Sequence, residues 1–296
     1  MKEYRLFSDS ACDLPESLIK EHQIGLIPFY VSFDRETYYK ESVDITIESF
    51  YETLTEKHIF ATTSLPSVQD YISAFRPALK EGYDIVCLCL TQKFSGSYQS
   101  AVNAKLILEE QFPEAAIHII DSIQATGGQG ILLLQMARMK QAGYSITDLV
   151  ETTNRLKTTA RIMFTVDTLE YLAHGRRIGK VVALAKDMLD LKPLIQLKDS
   201  ELIPYSNIRG RRKSLDKVFE MVEEYFRENN ENPADYDFCI ANTTTPADAE
   251  HLQKHIENFT GQKMLYPIFQ IGVTIGTYTG PGALGICFVK KYDRLK

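Results

Sequence analysis

No apolar run in this sequence approaches the roughly 18 residues that a membrane-spanning helix requires, so no integral membrane segment is expected. A basic-plus-apolar leader is also missing: Met1-Lys-Glu-Tyr-Arg leads straight into a short strand, and no secretory signal is expected. Positive charge is in the minority, with 33 Lys and Arg against 39 Asp and Glu and a formal net charge of -6. A field of that sign argues against a general binder of nucleic acid or of anionic membranes. Cysteine is scarce, five in 296 residues and odd in number, with Cys87 and Cys89 alternating inside an apolar stretch. That pattern predicts reduced, buried thiols rather than a disulfide framework, and with the acidic balance it predicts a cytoplasmic protein.

Several catalytic and nucleotide-binding signatures are missing too. Thr126-Gly-Gly-Gln-Gly130 has neither the G-x-G-x-x-G fingerprint nor a G-K-[S/T], so its glycines read as close helix-to-sheet packing at a turn that opens a helix over 131–141. Ser97 follows a glycine, but Ser95 and Gln99 stand where a nucleophile elbow needs glycines. His251 and His255 are four apart and can face one metal. No glutamate follows His251 as in H-E-x-x-H and no cysteine is near, so an exposed helix face accounts for both and no metal or cofactor is expected. His174, before Gly175, reads as a helix C-terminal residue answering the dipole.

What is present is ordinary for a folded protein of one large or two medium domains, 44% hydrophobic and 24% charged. Apolar runs at 4–8, 24–33, 85–90 and 116–120 read as strands, and helical patterns start near Pro15, Thr46, Ser67 and Ser97. This alternation is that of βαβ units around a mostly parallel sheet. After about residue 160 the pattern changes: a strand at 161–166, a hairpin of 192–197 and 201–206 turning at Asp199-Ser200, and strands at 236–241 and 284–289 suit a mixed sheet with helices. The expectation is an α/β protein of two α/β domains, residues 1–158 and 159–296, with a ligand between or beneath them.

Three segments carry the chemistry. Gly276-Thr-Tyr-Thr-Gly-Pro-Gly-Ala-Leu-Gly285 follows the apolar run 265–275 and reads as a loop whose backbone comes close to an oxygen-rich group. Thr91-Gln-Lys-Phe-Ser-Gly-Ser97 joins the strand ending at Leu90 to a helix N-terminus, an anion-binding geometry. Ala61-Thr-Thr-Ser-Leu-Pro-Ser67 opens a helix with the apolar face Val68, Tyr71, Ile72, Phe75 and Leu79, so Thr62, Thr63 and Ser64 are read as lying just before a helix start, where N-caps are found. The one strongly basic stretch, Arg209-Gly-Arg-Arg-Lys213, sits where cations oppose the helix dipole and reads as a docking or phosphate-recognition patch. Arg176 and Arg177, between Gly175 and Gly179, form a second, smaller one.

These residues resemble, in order and spacing over nearly the whole chain, the DegV family of bacterial proteins, whose best-understood members are fatty-acid-binding subunits of fatty acid kinase (FakB type). The resemblance runs through Phe7-Ser-Asp-Ser-Ala-Cys-Asp-Leu-Pro15, Thr63-Ser64-x-Pro66-Ser67, Ser95-Gly-Ser-Tyr-Gln-Ser-Ala101, Asp121-Ser122, Asp167-Thr-Leu-Glu-Tyr-Leu172, Gly175-x-Arg177-Ile178 and Gly280-Pro-Gly-Ala283. It implies a fatty acid carrier, not an enzyme, with the carboxylate held by hydroxyls and loop amides and the acyl chain in an apolar tunnel of the N-terminal domain. The residues it assigns to the ligand are Thr62, Thr63, Ser64, Phe94, Ser95, Gly96, Arg177, Tyr278, Thr279 and Gly280. Arg209 matches an arginine that engages a fatty acid kinase subunit, which would phosphorylate the bound acid. This chain departs from the phosphorylating members in carrying Tyr278 where they have histidine, and Arg176 where a second glycine is usual. Two other readings stay open: an enzyme acting on a carboxylated or phosphorylated metabolite in the inter-domain cleft, with Arg177 and the glycine segment as anion clamp, and a lipid-sensing regulatory module.

Overall fold

A computed structural model describes residues 2–57, 59–185 and 190–295; Met1, where the N-terminal reading starts, lies outside them, as do His58, Lys186 to Leu189 and Lys296. The first sheet is parallel throughout, in the order β2-β1-β6-β7, from β1 (Tyr4–Asp9), β2 (Gly25–Ile27), β6 (Asp84–Cys89) and β7 (Ile117–Asp121). All six residues of β6 are buried, as a central strand covered on both faces requires. Alternation sorts its side chains: Ile85, Cys87 and Cys89 join the cluster under α3 (Val68–Lys80) and α4 (Ser97–Gln111), while Val86 and Leu88 point to the opposite side. The expected single strand 24–33 is divided. Its first part is β2, and after Pro28 the chain leaves the sheet to form β3 (Tyr30–Ser32) of a small antiparallel sheet with β4 (Tyr39–Lys40) and β5 (Thr62–Ser64), packed beside α2 (Ile47–Lys57). Proline has no N–H to give a ladder.

The second sheet is mixed, β10-β9-β8-β13-β11-β12, from β8 (Arg161–Thr165), β9 (Leu191–Lys198), β10 (Glu201–Arg209), β11 (Tyr236–Asn242), β12 (Phe269–Gln270) and β13 (Leu284–Lys290). β9 and β10 turn through Asp199 and Ser200, both at positive φ (51° and 68°), a two-residue hairpin of the twist that adjoining strands favour. Helices α8 (Arg211–Asn229) and α9 (Pro246–Thr260) cover one face through Met163, Leu194, Ile240, Ile286 and Phe288. The shorter helices are α1 (Glu16–Glu21), α6 (Ile146–Leu156), α7 (Glu170–His174) and α10 (Val273–Thr279).

Between the two sheets lies α5 (Thr126–Gln141), packed against β6 on one side and β11 and β13 on the other. Its middle, Gly130 to Met139, carries apolar residues on every side, as a helix enclosed between two layers requires, and 13 of its 16 residues are buried. The segment 126–130 is therefore not a turn before a helix. It is the first part of the helix itself, and its glycines let the sheet come close: a Cβ on Gly127 would lie 2.7 Å from Cys239 Sγ and 3.0 Å from Cys287 Sγ. All five cysteines are buried and free.

Candidate functional site

The residues of the three hydroxyl- and glycine-bearing segments meet around one cavity of about 1010 Å³, part of it open solvent, between the two large sheets. Phe29, Leu90 and Ala125 line it from the first half of the chain, and Ile162, Phe164, Leu197, Leu202, Ala241 and Leu284 from the second. The apolar lining thus draws on both halves; the resemblance implied an acid between the two domains, its chain in a tunnel of the N-terminal one. The reason is topological: α5 and the loop before it are shared by both sheets, so the space at its N-terminal end belongs to both.

Each polar side chain is set by local structure. The segment around Thr63 is strand β5, not the lead-in to a helix; the cap of α3 is Ser67, whose hydroxyl accepts from Asp70 N at 3.1 Å while the Asp70 carboxylate accepts from Ser67 N at 2.8 Å. In a strand, neighbours face opposite ways. Thr63 consequently lines the cavity while Thr62 turns away, its hydroxyl 3.5 Å from Ser32 O, and Ser64 is exposed.

The 91–97 loop brings Ser95 to the same cavity. Ser95 N donates to Thr91 O at 3.3 Å, and Ser95 Oγ accepts from Ser97 N at 3.1 Å. Because the oxygen takes that N–H, its own proton is left to donate elsewhere. The buried Asp9 carboxylate anchors the loop's two ends, accepting from Leu90 N at 2.9 Å and Ser97 Oγ at 2.8 Å, with Gln129 Nε2 on its other oxygen at 2.9 Å. Burial outweighs these hydrogen bonds and pushes the Asp9 carboxyl up to about 6. Phe94 and Gly96 line the cavity beside Ser95, and the Gly96 Cα faces Leu65, which puts the 61–67 and 94–97 segments in contact at the mouth.

The expected loop 276–285 is half helix. Residues 273–279 form α10, Gly280 at φ 71° ends it, and the turn to β13 is confined to 280–283. Two buried carboxylates, Asp13 and Glu41, hold the start of α10: Gly272 N donates to Asp13 Oδ1 at 3.0 Å, and Thr274 donates to Glu41 through N at 2.9 Å and Oγ1 at 2.6 Å. Negative groups at a helix N-terminus satisfy its free N–H groups and its dipole. Burial raises both carboxyls above their ordinary range. Their role had no signal in the sequence beyond the Ser8 to Asp13 motif, since Glu41 is far from 272 in the chain.

One and a half turns on, Tyr278 OH lies 2.6 Å from Thr63 Oγ1, and either can donate. The Arg177 guanidinium stacks 4.6 Å above the Tyr278 ring. It bonds Phe94 O through Nε (3.2 Å) and Nη2 (3.1 Å) and Gly175 O through Nη1 (2.6 Å), which takes three of its five N–H donors and leaves two. Gly175 is required by this packing, because a Cβ there would sit 2.2 Å from Tyr278 Cδ1. Thr279 also lines the cavity, while Gly280 faces away from it, backed by the Tyr171 ring. His174 ends α7 and stacks on Phe60 at 4.5 Å. A surface depression beside the mouth gathers Lys93, Arg176, Arg177 and Lys180, the last paired to Glu201 at 2.5 Å.

The basic stretch divides in two. Arg211 ties β13's turn to α9, pairing with Asp248 at 3.0 Å, donating to Gly282 O at 2.6 Å and lying 3.6 Å from Asp167. Arg209 ends β10 and is exposed.

A sequence model of the family described as "Uncharacterised protein, DegV family" matches residues 4–291. A DegV domain-containing protein of Clostridium perfringens is 33% identical over 293 residues, 98% of each chain. The crystal structure of a stearic acid-binding protein from Eubacterium ventriosum superposes with a TM-score of 0.92 at 36% identity, covering 99% of this chain and 100% of that one. DegV of Bacillus subtilis, described as a fatty acid binding protein, superposes with a TM-score of 0.84 at 26% identity over 98% of this chain and 100% of its own. These two descriptions state binding and name no reaction. By sequence over nearly its whole length and by fold, this chain belongs to the DegV family.

Proposed function

We propose that this protein binds one long-chain fatty acid, its carboxylate at the Ser95, Thr63 and Tyr278 hydroxyls and its chain in the hydrocarbon-lined cavity. The observation that carries the reading is that the paired Thr63 and Tyr278 hydroxyls, with the Arg177 cation above them, and the Ser95 hydroxyl line one mostly apolar cavity. The Thr63–Tyr278 pair shares one of its two protons internally and has one left for a ligand oxygen; Ser95 supplies a second. Arg177 adds positive charge without being free to leave, because it is tied to two carbonyls. A carboxylate taken out of water needs this combination, and each buried CH₂ adds about 0.8 kcal/mol. Thr62, Ser64 and Gly280 have no direct role in this arrangement.

The finer part of the proposal is that the bound acid is presented to a fatty acid kinase, with Arg209 on the partner-facing surface. Lys93 and Arg176 beside the mouth support it, since a phosphorylated head group would meet cations there. Five buried, free thiols suit a cytoplasmic carrier.

Native mass spectrometry of the protein purified from a bacterial host, followed by stripping and titration with stearic acid, tests the reading. One acyl chain per protomer, removed by stripping and restored by stearate, is expected. A polar metabolite in its place, with no stearate uptake, would favour the enzyme reading.

A further inference from the structure

On the outer face of the mixed sheet, away from the cavity lining, α8 and α9 bring three metal-ligating side chains together. His251 and His255, one turn apart on α9, have their Nε2 atoms 3.2 Å from each other. Asp216 of α8 places Oδ1 3.7 Å from His251 Nε2. One ligand atom from each residue can be chosen so that all three lie within 4.8 Å. The sequence showed only the two histidines and no partner for them; the third ligand comes from a different helix.

We propose that Asp216, His251 and His255 form a surface site for a divalent transition-metal ion of the zinc type. Bonds of about 2.0–2.1 Å in a tetrahedral shell separate ligand atoms by about 3.3 Å. The two imidazole nitrogens already stand at that spacing, and the half-exposed Asp216 needs only a small side-chain adjustment. With two Nε2 atoms facing each other, neutral rings can form one N–H···N hydrogen bond, and two protonated rings repel. A metal ion instead takes both lone pairs, each ring keeping its proton on Nδ1. Two imidazoles and one carboxylate select zinc, nickel or cobalt over calcium or magnesium, which prefer oxygen donors. His255 is fixed from behind by the Phe219 ring, 5.0 Å away. The fourth position faces solvent, so water completes the shell, and the bound ion clips α8 to α9.

The test uses the full chain without a polyhistidine tag, treated with chelator and titrated with zinc chloride by calorimetry. One equivalent bound in the micromolar range is expected, with affinity falling at least tenfold in His251→Ala and in His255→Gln, and severalfold in Asp216→Asn. Cobalt in place of zinc should give the intense visible absorption of a tetrahedral site, lost in the same variants. The side chains are partly exposed, so the variants keep the fold, checked by circular dichroism. No saturable binding to the wild type, or binding unchanged in both histidine variants, overturns the site.

Discussion

Replacing Ser95 by alanine separates its two hydrogen bonds. The hydroxyl oxygen accepts from Ser97 N at the start of α4, and its proton is left for the ligand head. Loss of the first contact weakens a helix start, which costs about 0.5–2 kcal/mol, a drop of at most about 8 °C in the Tm of lipid-free protein. Loss of the second removes a donor to a carboxylate, worth about 1.5–3 kcal/mol, and raises the Kd for stearate about 12- to 150-fold. The assay is a titration of stripped protein with stearic acid, paired with thermal unfolding of the same preparation without lipid. Both changes are expected. A lowered Tm with a Kd within twofold of wild type would leave Ser95 as a helix cap alone and refute its place at the head group.

Tyr278→His should change the stearate Kd by no more than about fivefold, the equivalent of about 1 kcal/mol, and increase acyl phosphate formation by a cognate kinase, because imidazole can carry a charge that phenol cannot; turnover equal to wild type would show that Arg177 already supplies it. Arg209→Ala should leave stearate affinity intact and slow kinase-dependent acyl phosphate formation, whereas lost lipid affinity would move this residue into the ligand site. For Asp9 the sign follows from a carboxyl raised to about 6 in the folded protein. The native state holds the proton more tightly than the unfolded chain, so the stability contributed at low pH is lost as pH rises from about 4 to about 6, up to about 3 kcal/mol. Urea unfolding of wild type and Asp9→Asn across that range should show the gap between them shifting in the variant's favour as pH rises, and a constant gap would contradict the shift.

The elements that the sequence disclosed best were those whose pattern is local. The buried run at 84–90, the helix face from Val68 to Leu79 and the Asp199-Ser200 hairpin all appear within a residue or two of where periodicity and turn chemistry put them. Misplacements arose where a tertiary contact overrides local preference. Glycines at 127, 128 and 130 would ordinarily delay a helix, but the second sheet and the turn after β1 close on them and the helix begins at Thr126. Gly276 likewise sits inside α10, whose start is fixed by Asp13 and Glu41 from distant parts of the chain. Thr62 to Ser64 looked like cap candidates because hydroxyls before a helix usually are; strand pairing with β3 decides instead, and its alternation leaves one of the three facing the cavity. Arg176 stands at φ 57°, the left-handed region, which gives a backbone reason for the glycine that is usual there in the family it resembles.

A crystal structure of the protein with stearic acid decides whether the head group sits at the Ser95, Thr63 and Tyr278 hydroxyls. One acyl chain is expected between the two large sheets, with a carboxylate oxygen within hydrogen-bond distance of Ser95 Oγ and the other reached by the Thr63–Tyr278 pair. A chain whose carboxylate lies away from these three hydroxyls, or a ligand bound outside this cavity, would contradict it.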